Sequence, residues 1–277
     1  MSKTDLKHIF KRHRDKVITG VLFLITYVPT WLWMWDRWFT RDSYYSHGIL
    51  IPFVSAYLIW QRREEWKVFS PKRSKWGIRL IVPGLVIHIL SSIFRVYFSS
   101  GLSMIVVLLG LCLHFFGGKI TRKILFPILF LFFMVPMPLV VIANISFKLK
   151  IFAAQIAETV LNSMRIPAVR EGSLIKMRHA YVMVDDVCSG LRSLISLTAL
   201  GSIFAYWMKA EMGKRLLLFL STIPIAIITN VFRVVFLSAI AEIWGPKYAV
   251  GFTHDLSGFL VFALAFVLLY IMGKILE

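Results

Sequence analysis

This chain is poor in cysteine, poor in charge and poorest in acid. Among 277 residues there are 2 cysteines. With Cys112 deep in an apolar run and Cys188 at the edge of another, they supply neither a disulfide nor a zinc site. Charged residues make up 17% of the chain, with 14 Asp and Glu against 32 Lys and Arg, and no polar stretch is long enough for a soluble domain. Instead the chain is 58% hydrophobic with a mean hydropathy of +0.74, the composition of an all-α polytopic membrane protein. A net charge of +18 would suggest nucleic acid in a soluble protein. Here it reads as basic loops held beside a lipid bilayer, and nucleic acid is excluded as a partner.

Apolar segments of bilayer-relevant length fall at about 17–35, 47–60, 78–94, 101–117, 124–143, 189–207, 216–240 and 256–273. They predict eight transmembrane helices in one integral membrane domain covering 1–277. The second is short, and counts as a span because Tyr44, Tyr45, Tyr57 and Trp60 supply interfacial flanks. Pro127, Pro136 and Pro138 are expected to kink the fifth or end it early. The first follows a basic tail and has no small-residue cleavage site after it, which predicts a retained anchor.

Lysine and arginine alternate between loops. They crowd the N-terminal tail, the loop from Arg62 to Lys75, the run Lys119, Arg122, Lys123, and Lys209, Lys214, Arg215. The other loops hold mainly Arg37, Arg41, Arg95 and Lys247. The positive-inside rule then puts both termini of a multi-pass membrane protein in the cytoplasm.

The outer segment 144–188 departs from this rule, since it contains Lys148, Lys150, Arg165, Arg170, Lys176 and Arg178. Its first part, 145–164, has the spacing of a short amphipathic interfacial helix. Two alternating runs, 173–177 and 181–184, suggest a β-hairpin leading into Cys188. The plain reading of these cations is contact with lipid headgroups. The sharper reading makes Arg165, Arg170, Lys176 and Arg178 a vestibule for an acidic peptide.

Cys188 stands where the acidic run Val184-Asp185-Asp186-Val187 gives way to Ser189-Gly190-Leu191-Arg192 and a long apolar stretch. Arg233 lies seventeen residues beyond Leu216, roughly 26 Å along a span of about 30 Å, so it reaches the same outer level. His254 opens the last span from that side. A thiol, a guanidinium and an imidazole at one depth are the parts of a nucleophilic acyl-transfer site. A helix start lowers a thiol pKa, whereas Asp185 and Asp186 raise it, so a nearby cation is needed for a thiolate. Arg233 has a duller use as the partner of Glu242 or Asp255. Asn230, one turn before Arg233, is placed to orient it, and Arg192, four residues after Cys188, lies on the same helical face. Ser189 flanks the thiol. His47 is either a residue at the entrance to the site or a hydrated helix cap. His8, His13, His88, His114 and His179 are read as structural or solvated.

The run Cys188-Ser189-Gly190-Leu191-Arg192-Ser193-Leu194, then Asn230-Val231-Phe232-Arg233, then His254-Asp255 with Ser257-Gly258, resembles the exosortases and archaeosortases. The early run Tyr44-Tyr45-Ser46-His47-Gly48-Ile49-Leu50-Ile51-Pro52 is similar to that family's N-terminal signature. The resemblance covers nearly the whole chain and favours the bacterial branch. It implies a membrane-embedded cysteine peptidase and transpeptidase without cofactor or metal. The implied substrate is a secreted protein with a C-terminal sorting tail: a short motif, often Pro-Glu-Pro, then a hydrophobic helix and basic residues.

On that reading Cys188 attacks a peptide carbonyl, Arg233 stabilises the oxyanion and His254 protonates the departing amine. Arg192 supports the thiolate or binds the motif's glutamate. Two other classes also place Arg, Asn and His in membrane helices: a transporter, and a non-catalytic component of a polysaccharide or protein export assembly. A transporter should show related halves broken at mid-membrane, whereas these polar residues gather at one rim.

Overall fold

Breaks in the apolar pattern fall at prolines, glycines and buried polar residues. The computed structural model describes the backbone of residues 3–277, and their side chains except those of 3–13, 66, 67, 187, 254 and 255. Contacts divide the chain into two units. One takes in the chain up to Arg41 and Ser46–Pro136, the other Asp42–Tyr45 and Met137–Glu277.

In the first unit, α1 (Lys3–Thr26) and α2 (Val28–Phe39) meet at Tyr27 with a bend of 57°. Pro29 opens α2, where its missing N–H costs nothing within α2. The short helices α3 (Leu50–Gln61) and α4 (Arg63–Lys67) lead to the long pair α5 (Lys75–Ile93) and α6 (Tyr97–Lys123), followed by α7 (Leu125–Phe130). Glycines let α5 and α6 approach closely. A Cβ on Gly77 would lie 2.5 Å from the Gly110 carbonyl oxygen, and one on Gly84 would lie 2.6 Å from Val107. Hydroxyls join the helices where lipid offers no partners. Thr30 Oγ1 and Ser100 Oγ are 2.6 Å apart, His88 Nδ1 lies 2.8 Å from the same Ser100 Oγ, and Tyr27 OH is 3.0 Å from Ser103 Oγ.

The second unit runs α8 (Leu139–Ser163), β1 (Ala168–Glu171), β2 (Leu174–Met177), β3 (Tyr181–Met183), α9 (Leu191–Trp207), α10 (Met212–Trp244) and α11 (Phe252–Leu276). Helix α10 packs against α8, α9 and α11. Ala153, Ala154 and Ala157 give α8 a small-residue face, buried with Val231 and Val234 of α10 and with Ala168, Ile175 and Val184 from the sheet segment. On the other side Leu197, Leu218, Ala226, Ala265 and Leu269 join α9, α10 and α11. The three strands are antiparallel in the order β1-β2-β3, with Ala168 opposite Met177 and Leu174 opposite Met183. The expected hairpin is present, and β1 extends it across a turn at Gly172, whose φ of 63° suits glycine.

The chain is an all-α polytopic membrane protein with a small sheet. Among the described residues five helices are long and apolar enough to cross a bilayer, or six if the bent α1–α2 pair is one span. The expected segment 47–60 yields the 12-residue α3, about 18 Å long at 1.5 Å per residue, and 189–207 yields the 17-residue α9. The segment 124–143 is not one helix. It stops after Met134, and α8 then begins at Leu139, behind Pro136 and Pro138. With no glycine or proline in its 25-residue length, α8 runs on past Asn144 to Ser163, so the segment expected to lie flat at the interface belongs to a helix long enough to span.

Candidate active site

Apart from His47, the site residues described below lie in the second unit. Cys188 ends a single 3-10 turn, Asp186–Cys188, between β3 and α9. Its N–H donates to the Asp185 carbonyl at 2.9 Å. Ser189, 2% exposed, donates from Oγ to the Asp186 carbonyl at 2.7 Å and accepts from the Leu191 N–H at 3.3 Å, tying the turn to the first residue of α9. Gly190 has φ 78°, and a Cβ there would lie 2.6 Å from the Asn230 side chain. Conformation and close approach both demand glycine.

Two helices hold this turn. From α8, Lys150 Nζ contacts the Asp186 carboxylate at 2.8 Å and Ser146 donates to the same oxygen at 3.0 Å. The hydrogen bond from Lys150 holds the Asp186 carboxyl below its usual range. From α10, Asn230, 3% exposed, donates from Nδ2 to the Cys188 carbonyl at 3.0 Å. One turn further along α10, Arg233 is 7% exposed and donates from Nε to Ser257 Oγ on α11 at 3.1 Å. A Cβ on Gly258 would lie 3.4 Å from Arg233 Nη2, so α11 carries the guanidinium closely.

Cys188 and Arg233 are close enough to interact electrostatically. Burial pushes the thiol up, the Arg233 charge opposes it and Asp185 adds to it, leaving the thiol above its ordinary range. The sequence-based expectation that a helix start favours a thiolate is thus outweighed by desolvation. The required cation is present, but Cys188 precedes α9 in a turn of its own. A narrow cleft lined by Leu149, Phe152, Ala153, Leu194, Ala226 and Ile227 ends on Ser189, Gly190 and Asn230.

Other expected residues fall as follows. His254 is in the first turn of α11, three residues before Ser257, and the side chains of His254 and Asp255 lie outside those described. Asn230 reaches Cys188 rather than orienting Arg233. Arg192 does not share a helical face with Cys188, because the left-handed backbone at Gly190 interrupts the helix; it lies 3.6 Å from Asp42. Glu242 accepts from the His179 backbone N–H and lies beside its Nδ1, each at 2.9 Å, so it serves the hairpin turn instead of Arg233.

Arg170 lies 3.6 Å from Glu158 and Lys176 lies 2.7 Å from Glu171, whereas Arg165 and Arg178 are exposed. His47 is in the first unit, in the 3-10 turn Ser46–Ile49 before α3. Ser146 and Lys150 were hidden among the basic residues of 144–188. Their i, i+4 spacing put them on one helical face and was the available signal. The His179–Glu242 pairing had none.

A partly buried thiol, an arginine and an asparagine gathered beside the starts of two membrane helices define a polar site in a polytopic membrane protein. Residues 35–271 match the transmembrane exosortase family, and the chain belongs to it. No curated protein and no solved structure matches the chain.

Proposed function

We propose that this exosortase is a cysteine peptidase and transpeptidase that removes C-terminal sorting tails, of the Pro-Glu-Pro kind, from secreted proteins. It acts at the outer face of the inner membrane, with both termini in the cytoplasm. The observation that carries this reading is that one helix, α10, holds the Cys188 main chain through Asn230 and also bears Arg233, itself held by Ser257. Such fixing restrains the groups before substrate arrives, which is how electrostatic stabilisation becomes effective.

A free thiol is mostly protonated at neutral pH and burial pushes Cys188 further in that direction, so attack requires a base. His254 takes the thiol proton as Sγ bonds to the scissile carbonyl carbon. The carbonyl electrons move onto oxygen, and Arg233 donates hydrogen bonds to that oxyanion. Collapse breaks the carbon–nitrogen bond, and His254 returns its proton to the departing amine of the tail. This leaves a thioester on Cys188. An amine or water then attacks the thioester, His254 accepts its proton, and the leaving thiolate is reprotonated.

The test is a tail-processing assay with Cys188→Ala and Cys188→Ser, each shown to be inserted at wild-type abundance. Loss of processing in both, with a thioester trapped by hydroxylamine only in the wild type, supports the reading. Processing by an abundant Cys188→Ala protein ends it, and leaves transport or assembly as the role of the site.

A further inference from the structure

At the basic end of the first unit, residues 68–75 fold back onto α6. Ser74 caps α5 by accepting from the Trp76 N–H at 3.3 Å, donates its own N–H to the His114 carbonyl at 3.2 Å, and presents its carbonyl to His114 Nδ1 at 3.2 Å. Three residues after His114 the α6 backbone leaves helical geometry at Gly117, with φ 79° and ψ 171°. A Cβ there would collide with the Lys72 carbonyl oxygen, so glycine permits both the break and the approach of the loop.

Loop and break enclose an open cavity of about 530 Å³. That is within the range of small-molecule sites, roughly 300–1,000 Å³. Lys72, Arg73, Lys75 and Lys119 surround it, and Phe69 and Phe116 give it an apolar wall. Arg73 lies 3.7 Å from Asp15. Among the described residues no ion pair joins Lys72, Lys75 or Lys119 to a carboxylate; Lys119 stands over the Phe69 ring at 5.9 Å. The positive end of the 19-residue α5 adds to the same field. Beside it, exposed Trp76 carries Arg79 over its ring at 4.1 Å, an aromatic and cationic pairing typical of the headgroup level. Past Trp76, α5 turns exposed Ile78, Val82 and Val86 outward, a surface along which acyl chains can lie.

We infer that this cavity binds the phosphate of an anionic phospholipid, with the glycerol end against Phe69 and Phe116. The mixed wall favours a lipid over a free anion, because a bare phosphate gains nothing from two phenyl rings. Cations grouped in a pocket between membrane helices are the usual recognition chemistry for such headgroups.

Native mass spectrometry of the full protein tests this, with phosphatidylglycerol and phosphatidylcholine added separately. Wild type should retain one phosphatidylglycerol in preference to phosphatidylcholine. Lys72→Gln combined with Lys119→Gln should weaken that binding by about tenfold or more, at roughly the contribution of one cation each. Both lysines are exposed, so the fold should survive. Lys209→Gln with Lys214→Gln, which removes equal charge elsewhere, should change little. Unchanged binding in the first variant overturns the proposal, as does equal loss in the second. Full displacement of the lipid by millimolar inorganic phosphate would also overturn it, in favour of a small-anion site.

Discussion

The side-chain amide of Asn230 donates to the backbone carbonyl of Cys188 at 3.0 Å, joining residues 42 apart in sequence. This bond fixes the main chain of Cys188 to α10, the helix that also carries Arg233, so thiol and guanidinium share one frame. Removing the donor leaves a partly buried carbonyl without it, a loss of about 1–3 kcal/mol. Asn230→Ala should therefore slow tail processing by roughly tenfold to a hundredfold. Asn230→Asp should do no better, since a carboxylate cannot donate. Alkylation of Cys188 should persist in both. Wild-type processing by the alanine variant would show that the turn holds itself.

Thiol chemistry should follow pH with a definite sign. Cys188 lies above the ordinary thiol range, so its thiolate fraction at neutral pH is below that of a free cysteine, and iodoacetamide labelling should keep rising past about pH 8.5. Arg233→Ala removes the lowering charge and should move the labelling curve to higher pH. Asp185→Asn removes a raising charge and should move it lower. Unshifted curves in both variants would mean that neither charge reaches the thiol.

Arg233→Lys should fail nearly as badly as Arg233→Ala. A planar guanidinium held at Nε by Ser257 has its fork fixed in one direction, and an ammonium on a flexible stem cannot reproduce that geometry. Ser257→Ala should cost less, about tenfold in processing, because only the orientation of Arg233 is loosened. A fully active lysine variant would reduce Arg233 to a structural cation.

Membrane class was legible in composition, and the hairpin before Cys188 was legible in alternation, because both rest on local periodicity. Helix breaks were legible where they rest on proline, as at Pro136 and Pro138, but not where polar residues interrupt an otherwise continuous helix. Asn144, Lys148 and Lys150 looked like the end of a span, yet nothing in 139–163 stops the backbone hydrogen bonds of α8. Cys188, Arg233 and Asn230 were legible as a group because depth in the membrane follows from counting residues. Their partners were not. Which carboxylate Arg192 meets, or that Glu242 serves His179, depends on side-chain packing between distant segments. The same-face argument for Arg192 failed at one backbone angle, the positive φ of Gly190.

The cations between Arg165 and Arg178 divide by their partners, and this separates recognition from folding. Arg170 lies beside Glu158 of α8, which also accepts the Arg170 N–H at 3.0 Å, and Lys176 is 2.7 Å from Glu171 of β1, so these two charges already have carboxylate partners. Arg165 and Arg178 are exposed and form no ion pair among the described residues. If this face attracts an acidic recognition motif, Arg165→Gln with Arg178→Gln should raise the substrate KM and leave kcat unchanged, as loss of uniform binding does. Arg170→Gln should instead lower thermal stability with a smaller effect on KM. Added salt should weaken wild-type binding more than that of the Arg165, Arg178 double variant, because exposed charges are screened over about 10 Å at 0.1 M ionic strength. Replacing the glutamate of the substrate motif with glutamine should then penalise the wild type more than the double variant. An equal penalty in both would remove Arg165 and Arg178 from recognition. It would return them to the bilayer surface, where exposed arginines need only lipid phosphates as partners.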